Sequence, residues 1–284
     1  MDYQMVIDAP QSGMNRRVKT AVVCGLLLAL LIGVFAAGAL ITDADVAPDF
    51  SKKLQAPSWE YPFGTDWLGR NMLLRTVKGL SLSITVGAAA SAVSAILATV
   101  IGIAAATGSK WMDSAISWVI DLVMGIPHLV LLILISFACG RGLNGLLIGI
   151  SLTHWTSLAR LVRAEALQIR GQQYIAVSRR LGCSRVWVLW SHILPHIVPQ
   201  FAVGLVLLFP HAILHESALS FLGYGLPPEQ PAIGIILSES MKYLTSGMWW
   251  PAFFPGAALV LVVMLFDKLG DNMKTLLDPY SAHE

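Results

Sequence analysis

Residues 79–109 read GLSLSITVGAAASAVSAILATVIGIAAATGS, a run without one charged side chain. At about 1.5 Å per residue, such a run laid out as a helix is longer than the roughly 30 Å hydrocarbon core of a bilayer. Five further stretches are each about long enough to cross it: 21–41, 114–140 broken only by Asp121, 142–159, 186–215 and 243–266. Antiparallel barrel strands would alternate apolar and polar residues over about 10 positions between turn signals, and no such pattern is present. The reading is an all-α integral membrane protein of six transmembrane helices. Composition agrees, since 56% of the 284 residues are hydrophobic and 13% charged, with a mean hydropathy of +0.68. A soluble globular domain carries about 25% charge and is excluded.

The formal net charge of +2 argues neither for nucleic acid nor for an acidic partner, so distribution matters more than the sum. Arg16, Arg17 and Lys19 precede the first run, which is too long for a signal-peptide core of about 7–15 residues and is expected to be a retained helix. With residues 1–20 inside, most lysines and arginines fall on the cytoplasmic side, and the positive-inside bias puts both termini there. Cys24, Cys139 and Cys183 show no paired spacing and are expected to be reduced.

After a first span at 21–41, residues 42–78 form an external loop whose end, Trp67 to Lys78, reads as a short interfacial helix. Residues 79–284 carry the other five spans. The second is rich in Ala, Ser and Gly and is expected in the bundle interior, where small residues let backbones approach. Gly145 and Gly149 form a GxxxG pattern, more simply explained by helix packing than by dimerisation. Between the fourth and fifth spans, the basic segment 160–196 reads as a helical hairpin. Gly182 is placed to end its first helix, Ser184 to cap the second, and Pro195 to stop it. A basic hairpin on the inner face is a docking surface.

Chemistry is mostly absent. No glycine is followed by lysine, so there is no P-loop, and neither HExxH nor GxSxG occurs. The chain cannot hydrolyse ATP itself, and no cofactor is expected. Ionisable residues within the spans are Asp121, His128, His154, His211, His215 and Glu216, which are expensive in lipid and default to function or interior pairing.

Ordered motifs then carry a resemblance. Pro62-Phe-Gly-Thr-Asp-Trp-Leu-Gly-Arg-Asn71 resembles the P-x-G-T-D-x-x-G-R-D signature of peptide and nickel ABC importer permeases, with Asn71 where aspartate is usual. Tyr174-Ile-Ala-Val-Ser-Arg-Arg-Leu-Gly182 with His192-Ile-Leu-Pro195 is similar to that family's E-A-A loop, with Ala176, Val177 and Ser178 at the E-A-A positions. Glu216-Ser-Ala-Leu-Ser-Phe-Leu-Gly223 resembles its E-x-x-L-S-F-L-G, and Asp267-Lys-Leu-Gly-Asp271 with Leu277-Asp-Pro279 its closing motifs. The resemblance implies a type I importer fold in the bacterial inner membrane. It also implies a second, unlike permease, two cytoplasmic ATP-binding subunits and an external solute-binding protein as partners, with lipid around the bundle and no nucleic acid. Tyr174, Ser178, Gly182, Leu194 and Pro195 would then couple to the ATPase.

Two other classes are weighed against this. An ion-coupled carrier or channel would use Asp121, Glu216 and the histidines as a relay, although Asp121 beside Gly125-Ile-Pro127 also suits donors freed by the proline. A membrane enzyme lacks a discernible nucleophile and base. For the cargo, His211-Ala-Ile-Leu-His215 puts two imidazoles one helical turn apart, and together with Thr153-His-Trp155 resembles nickel-type members. The expectation is import of nickel or another transition metal, free or as a small chelate, with His211 and His215 on the path. His154, Asp121 and Glu216 are path or structural polar groups. Peptide import, with the histidines in helix packing, is the alternative.

Overall fold

The Asn71 side chain accepts from the amides of Leu73 (3.0 Å) and Leu74 (3.4 Å) and so caps the longest helix of the protein. In the computed structural model, which describes residues 16–277, that helix α2 (Met72–Thr107) follows α1 (Arg16–Leu40). Then come α3 (Lys110–Gly125), α4 (His128–Ala138), α5 (Leu143–Arg170), the short α6 (Gln173–Arg180) and α7 (Arg185–Val188), α8 (Leu194–Phe221), α9 (Ile233–Leu244) and α10 (Trp250–Leu277). Among the described residues no strand occurs, and the only β-bridge joins Thr65 to Asn71. Among the described residues five helical spans are long and apolar enough to cross a membrane, or six where the bent α3–α4 pair is counted as one span. Residues 1–15 of the expected inner N-terminal segment and Asp278-Pro279 of the closing motif lie outside the described residues.

Small residues decide the centre. α2 packs along α5 and α8, and a Cβ on Gly102 would stand 2.7 Å from the Ala159 carbonyl oxygen, so the two backbones touch there. Ala95, Ala98, Ala106, Leu158, Ile175 and Ile197 close one apolar core around this crossing. A second joins Leu31, Ile84, Phe209 and Val262 of α1, α2, α8 and α10, and a third joins Val86, Leu132, Ile150 and Ile235 of α2, α4, α5 and α9. Gly145 and Gly149 approach Ser136 and Leu132 of α4, so the GxxxG pattern serves packing within the chain.

Four expectations need correction. The stretch 67–78 is not an interfacial helix, because Asn71 caps a helix that runs unbroken to Thr107 and buries Met72, Arg75 and Thr76 in its first turns. The third span is not straight. Pro127 forces Ile126 into an extended conformation (φ −89°, ψ 138°), and α3 and α4 meet at 100°. Pro195 stops nothing, since the chain stays helical from Arg185 through a π turn at Leu189–Ile193 into α8, whose second residue is Pro195. The last span starts at Trp250, not at 243, and the amphipathic helix α9 precedes it.

The loop before α2 is locked to α9 and α10. Asp66 accepts from the amides of Leu68 and Arg70 (both 2.9 Å), from Arg70 Nε (2.6 Å) and from Arg75 Nη1 (3.0 Å). Glu239 of α9 takes Nη2 of Arg70 at 3.1 Å and Arg75 Nη1 at 2.7 Å. Trp250 Nε1 donates to the Thr65 carbonyl, and Phe63 stacks on Phe254.

Candidate functional site

The break at Pro127 creates the site. It brings His128, the first residue of α4, against His154 of α5 and His215 of α8. Ring centroids lie 4.7 Å (128–154), 4.5 Å (128–215) and 5.0 Å (154–215) apart, and one nitrogen from each ring falls within 4.8 Å of the others. These rings wall a cavity of about 320 Å³ together with Thr153, Ser157 and His211. Thr156, Val123, Met124, Ile126 and Leu208 complete the lining, and no carboxylate belongs to it.

Hydrogen bonds set the chemistry of His154. Its Nδ1 lies 3.0 Å from the Ile150 carbonyl oxygen, an acceptor only, and 3.1 Å from Thr153 Oγ1, whose own proton goes to the Gly149 and Ile150 carbonyls; both contacts place the proton on Nδ1 and leave the lone pair on Nε2. That Nε2 is buried without a partner, as is Nε2 of His128. A backbone carbonyl holding one ring nitrogen while the other stays free is the arrangement by which metal-binding histidines are oriented. The three residues could therefore hold a metal.

Of the residues singled out from sequence, His154 and His215 stand in this cluster. His211 lines the same cavity one turn away and is exposed, outside the three-ring group. His128, read from sequence only as one of the ionisable residues within the spans, completes the cluster. The only signal for it was a histidine beside a proline in an apolar run. Asp121 does not serve the donors near Pro127: it pairs with Arg160 at 2.6 Å, while Asp113 pairs with Arg163, so both carboxylates tie α3 to α5. Glu216 is fully buried but turned toward serines. It accepts from Ser83 (2.7 Å), Ser220 (2.9 Å) and Ser217 (3.2 Å), which fastens α2 to α8.

At another part of the bundle, α6 and α7 form the expected hairpin. Gly182 has φ +90° between them, the left-handed region that a β-carbon disfavours, and Ser184 caps α7 through the Trp187 amide (3.1 Å). His192, in the π turn, sits edge-on to Tyr174 and Trp187, with Nε2 3.4 Å from Ser178 Oγ. Leu181, Val186 and Trp190 are exposed beside Arg179, Arg180 and Arg185. Leu194 and Pro195 begin α8 directly after the π turn. Cys24, Cys139 and Cys183 are free.

Residues 98–281 match the family described as binding-protein-dependent transport system inner membrane component. The dipeptide transport system permease protein DppC of Alkalihalophilus pseudofirmus is 35% identical over 88% of this chain and 82% of its own length. DppC of Bacillus subtilis is 32% identical over 78% and 70%. Among solved structures, an inward-facing MetNI methionine ABC transporter superposes with a TM-score of 0.60 at 17% identity, covering 73% of this chain and 98% of that one. Members of this family work with an ATPase and a substrate-binding subunit and do not themselves hydrolyse ATP. The chain, matched over residues 98–281, which include the helices that build the cavity and the hairpin, belongs to the binding-protein-dependent family of ABC importer permeases, as a multi-pass inner-membrane transport subunit.

Proposed function

We propose that this permease forms one half of a translocation path for a transition metal, nickel in the first instance, free or as a small chelate. A second, unlike permease supplies the other half. Both termini and the α6–α7 hairpin lie on the cytoplasmic side, where the hairpin seats on one of two ATP-binding subunits. An external solute-binding protein delivers the cargo from the opposite face. The observation that carries the cargo reading is the cavity walled by His128, His154, His211 and His215 at the break between α3 and α4. Imidazole suits nickel, cobalt, copper and zinc, and discontinuous helices mark binding sites in other transporters. In the coupling step, Tyr174, Ser178, Gly182, Leu194 and Pro195 make the hairpin and its junction with α8 a rigid lever, so that nucleotide-driven closure of the ATPases moves α8 and His215 with it.

A second reading, peptide import, is favoured by the names of the curated relatives, which are dipeptide permeases. The two are separated by reconstituting the complete transporter with its binding protein in proteoliposomes. ATP-dependent accumulation of radioactive nickel, not displaced by excess dipeptide, supports metal import. Dipeptide accumulation without nickel accumulation supports the alternative.

A further inference from the structure

We propose that His128, His154 and His215 together present a three-imidazole face to a divalent metal that keeps its own carboxylate ligands in its remaining coordination positions. The inference rests on the metal-import reading and specifies which ligands the chain gives and what form of cargo it takes.

The geometry fixes the ligand set. The three rings come from α4, α5 and α8, and their nitrogens lie within 4.8 Å of one another. His154 is 93% buried, judged by its 7% exposure, and its Nδ1 is committed to Ile150, which leaves Nε2 as the metal-facing atom. His211 stands outside the group, although it shares the cavity.

Charge then fixes the form of the cargo. Three neutral imidazoles add no negative charge, and the cavity lining contains no carboxylate. The nearest acids in sequence are engaged elsewhere, Glu216 with Ser83, Ser217 and Ser220 and Asp121 with Arg160. A bare divalent ion would keep its whole charge in a lining that offers only imidazoles and the hydroxyls of Thr153, Thr156 and Ser157 beside four apolar side chains, and an uncompensated charge there is unfavourable. Carboxylates that travel with the metal remove that cost. The α4 helix begins at His128 on the cavity wall; Val130 and Leu131 donate to the Pro127 carbonyl, which leaves the amides of His128 and Leu129 without an acceptor in the helix, and this positive end favours an anionic group beside the metal. Room is available as well. The cavity of about 320 Å³ equals on the order of ten water molecules at roughly 30 Å³ each, far more than a bare ion fills.

The test uses the complete transporter in lipid nanodiscs and three probes: Ni²⁺ alone, Ni²⁺ with iminodiacetate, and Ni²⁺ with EDTA. Iminodiacetate makes a neutral complex with three positions open, and EDTA leaves none. The iminodiacetate complex should bind at least about tenfold more tightly than free Ni²⁺, and the EDTA complex should not bind. His128→Ala should weaken binding of the iminodiacetate complex by about tenfold or more while ATPase co-purification stays normal. His215→Gln repeats the test should the first variant fail to assemble. Tighter or equal binding of the free ion, equal binding of the EDTA complex, or unchanged affinity in both variants would overturn the proposal. If the wild type binds none of the probes yet accumulates nickel with ATP, this site is wrong and the import reading stands. If dipeptide enters and nickel in no form does, the import reading itself fails.

Discussion

His128 and His154 meet edge to face, with ring centroids 4.7 Å apart and planes at 82°, and each buries an Nε2 atom that has no hydrogen-bond partner. Two orphaned imidazole nitrogens on one cavity wall are costly to the resting protein, since a buried unsatisfied polar group costs about 1–3 kcal/mol. Such a cost is expected where strain or unmet bonding serves a ligand.

His154→Phe tests this relationship. The substitution keeps a ring of similar size and removes both nitrogens, so the transporter should be at least as thermally stable as the wild type. Nickel uptake should fall by about tenfold or more. A large loss of stability with normal uptake would make His154 a packing residue.

Gly182 stands at φ +90° with no atom within 4 Å of where a β-carbon would be, so the cost of a side chain there comes from the backbone alone. Gly182→Val should cost about 1–3 kcal/mol locally and distort the hairpin. Gly182→Asn should be tolerated, because asparagine visits the left-handed region. Cargo-stimulated ATPase activity of the purified complex checks this, and equal stimulation in all three proteins would remove the hairpin from coupling.

Arg75 is 2% exposed and bridges Asp66 and Glu239. Arg75→Met leaves two carboxylates facing each other with only Arg70 between them. It should destabilise the protein by about 3–5 kcal/mol, read as a lowered midpoint of thermal unfolding. Asp66→Asn combined with Arg75→Met should be less destabilising than the sum of the single changes, because the pair is removed together.

Membrane topology can be read by cysteine labelling in a background without Cys24, Cys139 and Cys183. Ser58 and Leu181 are both exposed, Leu181 by 79%. A cysteine at 58 should react with an impermeant reagent added to intact cells, and one at 181 only after the membrane is opened. Labelling of position 181 from outside would reverse the proposed orientation.

How much of this was legible depends on range. The spans were, because uncharged runs such as 79–109 have one physical solution in lipid. Gly182 and Ser184 were, because a helix stop and a cap are written in adjacent residues. The hinge at Pro127 was half legible: proline announced a disturbance, but the 100° bend depends on what α4 packs against. The α9 helix escaped because Glu239 and Lys242 interrupt its apolar residues and its partners, Arg70 and Arg75, lie far away in sequence. For the site, the helical spacing of His211 and His215 suggested that these two act together. The fold instead joins His215 to His128 and His154, a relationship among three helices that no local spacing encodes.

The most direct measurement of the central claim is the X-ray absorption spectrum of nickel held by the assembled transporter. Imidazole scattering in the wild type that diminishes in both His128→Ala and His215→Ala is the predicted result. A spectrum without imidazole, or one that neither substitution changes, would contradict the account.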